Sequence, residues 1–125
     1  MTSLLVALGG AVGAVLRYWV SIAVQRSLGP EFPWGTLAVN VSGCFLMGLV
    51  AAVADRQGYL NPGARLFLVV GVLGGFTTFS AFAHETVSAT RAGATAVGLL
   101  NVAANVVLCL AAVWLGRLAA GIAGR

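Results

Sequence analysis

The side chains of this 125-residue chain that could do chemistry are neutral hydrogen-bond donors in apolar surroundings. Asn40, Thr77, Thr78, Ser80, Asn101 and Asn105 all fall inside uncharged runs, with Arg17 near the margin of the first. Amides and hydroxyls can present N–H or O–H to an anion and an oxygen to a partner. The three acids, Glu31, Asp55 and Glu85, lie at or beyond the ends of these runs. A small proton-coupled exporter of organic cations, the alternative of similar size, needs a carboxylate deep in the membrane to hold cation and proton in turn. Donors without counter-acids favour an anion instead. With one His, no Ser/His/Asp set and no phosphate-cradling loop, the chain is not expected to be an enzyme.

The densest chemistry is in Gly74-Gly75-Phe76-Thr77-Thr78-Phe79-Ser80-Ala81-Phe82. A helix serving only as an anchor would carry Leu, Ile and Val there. Two adjacent glycines and two threonines predict a break, and non-helical backbone at membrane depth is tolerated only in protein or beside a cavity. Carbonyls freed by the break would suit a small hard cation, which takes oxygen ligands. Alternatively the glycines only thin the helix, since Gly71 and Gly75 are four apart. Phe76, Phe79 and Phe82 recur every third residue. They either face lipid and core, or turn the positive edges of their rings toward an anion. Of the three, Phe76 is assigned to packing.

Four elements must hold these groups. Hydrophobic residues make up 60% of the chain and charged ones 8%, against about 25% charged in soluble domains. A helical crossing takes about 20 apolar residues, and the chain offers four, at about 4–24, 34–54, 66–86 and 92–116. The whole of 1–125 reads as one all-α membrane domain with four transmembrane helices, the third broken. The first run lacks a basic leader and contains Arg17, so it reads as a mature span rather than a signal peptide. Gly9 and Gly13 share a face on which another backbone could approach closely. Asn40 is either glue between helices or part of a pathway, and Asn101 and Asn105, four apart with Cys109 next in the row, pose the same choice. Arg17, beside Tyr18 and Trp19, either snorkels to the interface or lends a vestibule positive potential.

All seven basic residues are Arg, scattered singly, so the net charge of +4 does not point to nucleic acid. Arg56, Arg65, Arg117 and Arg125 fall on one side of the membrane, against Arg17, Arg26 and Arg91 on the other. Orientation is set by a clear excess of basic residues, and four against three is almost none. A chain that inserts both ways can pair with itself antiparallel, as inverted repeats do. Cys44 and Cys109, distant in sequence and without a CxxC, read as inert buried thiols.

Three blocks carry a resemblance: Gly9-Gly10-Ala11-Val12-Gly13-Ala14-Val15-Leu16-Arg17-Tyr18, Gly35-Thr36-Leu37-Ala38-Val39-Asn40-Val41-Ser42-Gly43, and Gly74 through Phe82. In that order, on a chain this short, they resemble the Fluc (CrcB-like) fluoride channel family along nearly the whole length. The resemblance implies a dual-topology antiparallel homodimer with two narrow fluoride pores, in the inner membrane of a bacterium. It implies a structural sodium ion held by the backbone carbonyls of Gly74 and Thr77 of both subunits. Phe79 and Phe82 match the pore phenylalanines and Asn40 the pore asparagine, with Thr78 and Ser80 as further hydroxyls. On the fourth span the family often has a Tyr followed by hydroxyl residues, where this chain has Asn101, Asn105 and Cys109. Ala81 replaces a residue that is commonly hydroxylated. The implied action is passive: fluoride, acquired as neutral HF, leaves as the anion under the membrane potential. A non-transporting assembly factor of four packed helices is the remaining alternative.

Overall fold

The computed structural model describes residues 2–55 and 60–123, and among these there is helix and no strand. Helix α1 is Thr2–Leu28 and α2 is Trp34–Ala54. Helix α3 covers 62–76, opening as Pro62–Arg65, widening to π-type winding over Leu66–Leu73 and tightening again at Gly74–Phe76. Helix α4 is Phe79–Arg91 and α5 is Thr95–Ala123. Taking α3 and α4 as one crossing, four helices are long and apolar enough to cross a membrane. Arg56 and Arg125 of the charge count lie outside the described residues.

Local chemistry sets the ends. Gly29 adopts φ +90° and its N–H returns to the Gln25 carbonyl at 3.0 Å, closing α1 before the two prolines. The Gln25 amide then donates to the Gly29 and Phe32 carbonyls and accepts from Gly35 N–H, stitching that loop to the start of α2. Asn61 caps α3 by accepting from Ala64 N–H at 2.7 Å, with Pro62 in the first turn, where its missing N–H costs nothing. Gly93, φ +85°, stops α4.

Two glycine seams bring the helices together. Gly9 and Gly13 of α1 lie on the backbone of Gly71 and Val72, and Gly75 lies on Gly10. A Cβ on Gly71 would come 2.8 Å from the Gly9 Cα, so a side chain there would force α1 and α3 apart. On the other flank Gly48 meets the Val113 backbone and Gly116 meets the Phe45 backbone, joining α2 to α5. Small residues at seams are how helices associate where burial from water cannot drive them.

The polarity of the interior is the reverse of a soluble domain. Leu99, Leu110, Trp19 and Trp114 are exposed, while Asn101 is 0% exposed and Asn40 and Asn105 are buried. Amides inside and hydrocarbon outside is the distribution expected in lipid, where an exposed polar group has no water to bond. The chain is a multi-pass membrane protein.

Candidate functional site

The site is built on the interruption between α3 and α4. Thr77 (φ −77°, ψ 155°) and Thr78 (φ −148°, ψ 113°) are extended. An unbroken helix would send the Thr78 N–H to the Gly74 carbonyl and the Ala81 N–H to the Thr77 carbonyl. Instead Thr78 N–H donates to Asn40 Oδ1 at 2.8 Å, and Ala81 N–H to Thr78 Oγ1 at 3.2 Å. Asn40 Nδ2 returns a bond to the Thr78 carbonyl at 3.1 Å. One side-chain amide thus pairs with the backbone as a neighbouring strand would, satisfying groups that would otherwise be costly at this depth. Gly43, one turn along α2, leaves the space into which Phe76 and Thr77 fit; any Cβ there would strike the Thr77 methyl.

The glycine pair does not itself unwind. Gly74 keeps helical angles (φ −63°, ψ −37°), and Gly75 is held against Gly10 by the α1–α3 seam. The break expected from Gly74 to Thr77 therefore falls one step later, at Thr77-Thr78, where Asn40 supplies the substitute bonds. The glycines bring about packing and the threonines the change of direction. The Gly74 and Thr77 carbonyls are among those that lose their helical donors at this break.

From Asn40 a line of amides leads across the bundle. Its Nδ2 also donates to Asn105 Oδ1 at 3.0 Å, and Asn105 Nδ2 donates to Asn101 Oδ1 at 2.9 Å. Asn101 Nδ2 reaches Thr86 Oγ1 at 2.9 Å, and Thr86 donates to the Phe82 carbonyl at 2.8 Å. The structure brings Asn40, Asn101 and Asn105 together as one continuous network, with Thr86 as a member that sequence reading passed over. Thr86 lies four residues beyond Phe82, a spacing that puts it on the same helical face.

Two cavities flank the break and share Thr78. One, of about 400 Å³, is lined by Asn40, Asn105, Thr77, Thr78, Phe79 and Phe82, together with Cys44, Met47 and Cys109. The Phe79 and Phe82 rings are tilted by 58° with centroids 5.2 Å apart. They differ sharply in setting: Phe82 is 8% exposed and Phe79 is 79% exposed, standing off the helix bundle. Phe76 is buried, as a packing residue should be.

The other cavity, of about 750 Å³, is lined by Arg17, Ser21, Thr36, Thr78, Ser80 and Glu85, among others. Arg17 Nη1 donates to the Thr77 carbonyl at 3.4 Å, so this Arg turns into the fold rather than out to the interface. Thr36 donates to Glu85 Oε1 at 2.7 Å. Glu85 Oε2 is, among the described residues, the one buried side-chain oxygen without a hydrogen-bond partner. Reading Glu85 as a span-end charge missed this. The signal available was its spacing of seven from Thr78 and four from Ala81, two turns along one face.

Known proteins share this sequence over most of its length. Residues 4–117 match the family described as CrcB-like protein, Camphor Resistance (CrcB). The chain belongs to that family. It is 50% identical over 114 residues to a protein of Rhizobium etli named fluoride-specific ion channel FluC, covering 91% of each chain. A protein of the same name from Solibacter usitatus is 48% identical over 120 residues, covering 96% of this chain and 98% of that one. Another, from Paramagnetospirillum magneticum, is 43% identical over 127 residues and matches this chain from end to end. The span matched to the family, residues 4–117, takes in all or most of each of the four crossings.

Proposed function

We propose that this chain is a fluoride-specific channel that lets fluoride leave the cytoplasm passively, acting as an antiparallel homodimer in a bacterial cytoplasmic membrane. The observation that carries the reading is the Asn40-clamped break, which presents amide donors and two phenylalanine rings on a cavity lined by no carboxylate. The name shared by relatives at 43–50% identity over most of the chain supports the choice of anion.

Chemically, a fluoride ion leaving water must exchange its shell for donors. Each amide of the Asn40–Asn105–Asn101 line already donates to the next. An anion can therefore replace one acceptor oxygen at a time, Asn105 Oδ1 first, without leaving a donor unpaired. Ring edges of Phe79 and Phe82 add weak positive potential. Weak, multiple contacts suit conduction, since each must allow departure as well as arrival. Arg17 gives the wider cavity a positive charge that concentrates anions at its mouth.

The homodimer is supported by what one subunit leaves uncovered. Phe79 is displayed rather than buried, and Gly74 faces open space, with the nearest atom to an added Cβ 3.7 Å away. The carbonyls of Gly74 and Thr77 fit a sodium ion in kind, being oxygen acceptors released from the helical ladder, and Thr77 already attracts the Arg17 guanidinium. When bound, sodium would supply a positive centre joining the two breaks.

The test is fluoride efflux from proteoliposomes, followed with a fluoride-selective electrode beside a chloride control. Fluoride release with chloride retained is expected. Equal release of both, or of neither, overturns the reading. For the dimer, a Gly74→Cys protein should cross-link to a second copy of itself under mild oxidation, and its failure to do so while flux persists would remove the two-fold arrangement.

A further inference from the structure

Two contacts between helices α2 and α5 share one register. Asn40 bonds to Asn105, 65 residues on, and Gly48 touches Val113 at the same separation. Midway between these two contacts, one turn from each, the same separation places Cys44 opposite Cys109. Both are free thiols, and both line the narrower cavity. Met47, one turn along α2 from Cys44, lines that cavity as well. The chain has two Cys and two Met, so three of its four sulfur side chains line one cavity. As inert packing, three scattered sulfurs would have no reason to share it; the 65-residue gap is what hides the pairing in the sequence.

Thiolate and thioether sulfur are soft donors that select Cu(I) and its relatives over hard cations. The cavity offers no carboxylate among its lining residues to favour magnesium or calcium, and two thiols without imidazole or carboxylate fall short of the four ligands that a structural zinc takes. We propose that Cys44, Cys109 and Met47 form a site for a soft monovalent cation of the Cu(I) or Ag(I) class, and that filling it closes the anion lane. On binding, the two S–H bonds break, two metal–sulfur bonds form and two protons pass to water; Met47 adds a lone pair without losing a proton. No electron changes hands. Two thiolates with one monovalent cation carry a net negative charge beside Asn40 and Asn105, where it both occupies the lane and repels an anion. The effect on flux rests on the fluoride-channel reading, whereas the binding site does not.

The experiment uses Ag(I), which needs no reductant, with the full chain in proteoliposomes in nitrate medium. Silver retained after washing is measured by elemental analysis, and fluoride efflux is read in each preparation as a ratio of the rate after silver to the rate before. Wild type should retain one silver per chain. Cys44→Ala and Cys109→Ala should each bind about a hundredfold more weakly, because the second sulfur acts at high effective concentration. Met47→Leu should bind more weakly than wild type by less than either. Silver should slow wild-type efflux at least about tenfold and leave the Cys44→Ala ratio near one, a dithiol restoring the wild-type rate. Cys44→Ser replaces Cys44→Ala if the latter does not assemble. Equal silver retention in wild type and the single variants overturns the site. Full retention with unchanged wild-type efflux overturns its place in the lane. A protein that passes no fluoride before silver is added refutes the channel reading alone, and retention still judges the sulfurs.

Discussion

The two cavities that meet at Thr78 solve different halves of one problem. The wider holds the two charged side chains of the site, Arg17 and Glu85; the narrower is lined by amides, hydroxyls, aromatic rings and sulfurs, none of them carrying a formal charge. Fixed charge acts over distance and gathers ions from solution, but a full opposite charge in a narrow, poorly hydrated lane would hold a fluoride too long for conduction. Dipoles bind less strongly and can be exchanged one for another. Charge in the wider cavity and dipoles in the narrower is the division this structure displays.

The sharpest way to break that comparison is Asn40→Asp. The substitution keeps an oxygen for Thr78 N–H but loses both Nδ2 bonds, to the Thr78 carbonyl and to Asn105, and adds a negative charge to the lane. Two lost bonds at roughly 1–1.5 kcal/mol each already correspond to about a hundredfold in rate, before repulsion is counted. Flux measured in proteoliposomes should fall at least that far. Wild-type flux would return Asn40 to the role of helix glue. Phe82→Ile and Phe79→Ile come next. Each removes a ring edge worth about 1 kcal/mol, so flux should drop by roughly tenfold or less while the protein still assembles. Phe82 should be the more disruptive of the two to stability because it is buried and Phe79 is not. Wild-type flux in both would remove aromatic edges from the account of the lane.

How much of this the sequence disclosed depends on the range of the interaction. The four crossings follow from charge-free length, and the amide row on α5 follows from the spacing of Asn101 and Asn105, because helical periodicity is local. The location of the break does not follow. Gly74-Gly75 is the more obvious breaker by composition, yet the α1 seam holds it helical, and the chain turns where Asn40, on another helix, can pair with Thr78. Spacing along α4 could place Glu85 and Thr86 on shared faces with Thr78 and Phe82, but their partners Thr36 and Asn101, like the Cys44–Cys109 register, lie on different helices. Local signals are legible in one dimension; partners are not.

On the charged side of the comparison the expected effects are smaller, and those of the two charges are opposite in sign to each other. Arg17→Gln removes the positive charge and keeps a donor for the Thr77 carbonyl. It should lower flux several-fold at low ionic strength and much less near 1 M salt, where the Debye length is about 3 Å. A loss independent of salt would make Arg17 a prop for the break rather than a source of potential. Glu85→Gln is the subtler probe. A glutamine oxygen can still accept from Thr36, so the geometry of α2 against α4 should persist while one negative charge leaves the vestibule. If that charge opposes Arg17, efflux should rise at low salt, by less than Arg17→Gln lowers it, and the gain should vanish as salt is added. The buried Oε2 without a partner is why the effect should be modest: its position becomes an amide N–H₂ that also lacks an acceptor in the structure, so some of the electrostatic gain is offset by an unsatisfied donor. A fall in flux that does not respond to salt would mean that Glu85 serves the Thr36 contact and not the potential, and the charged cavity would then be the work of Arg17 alone.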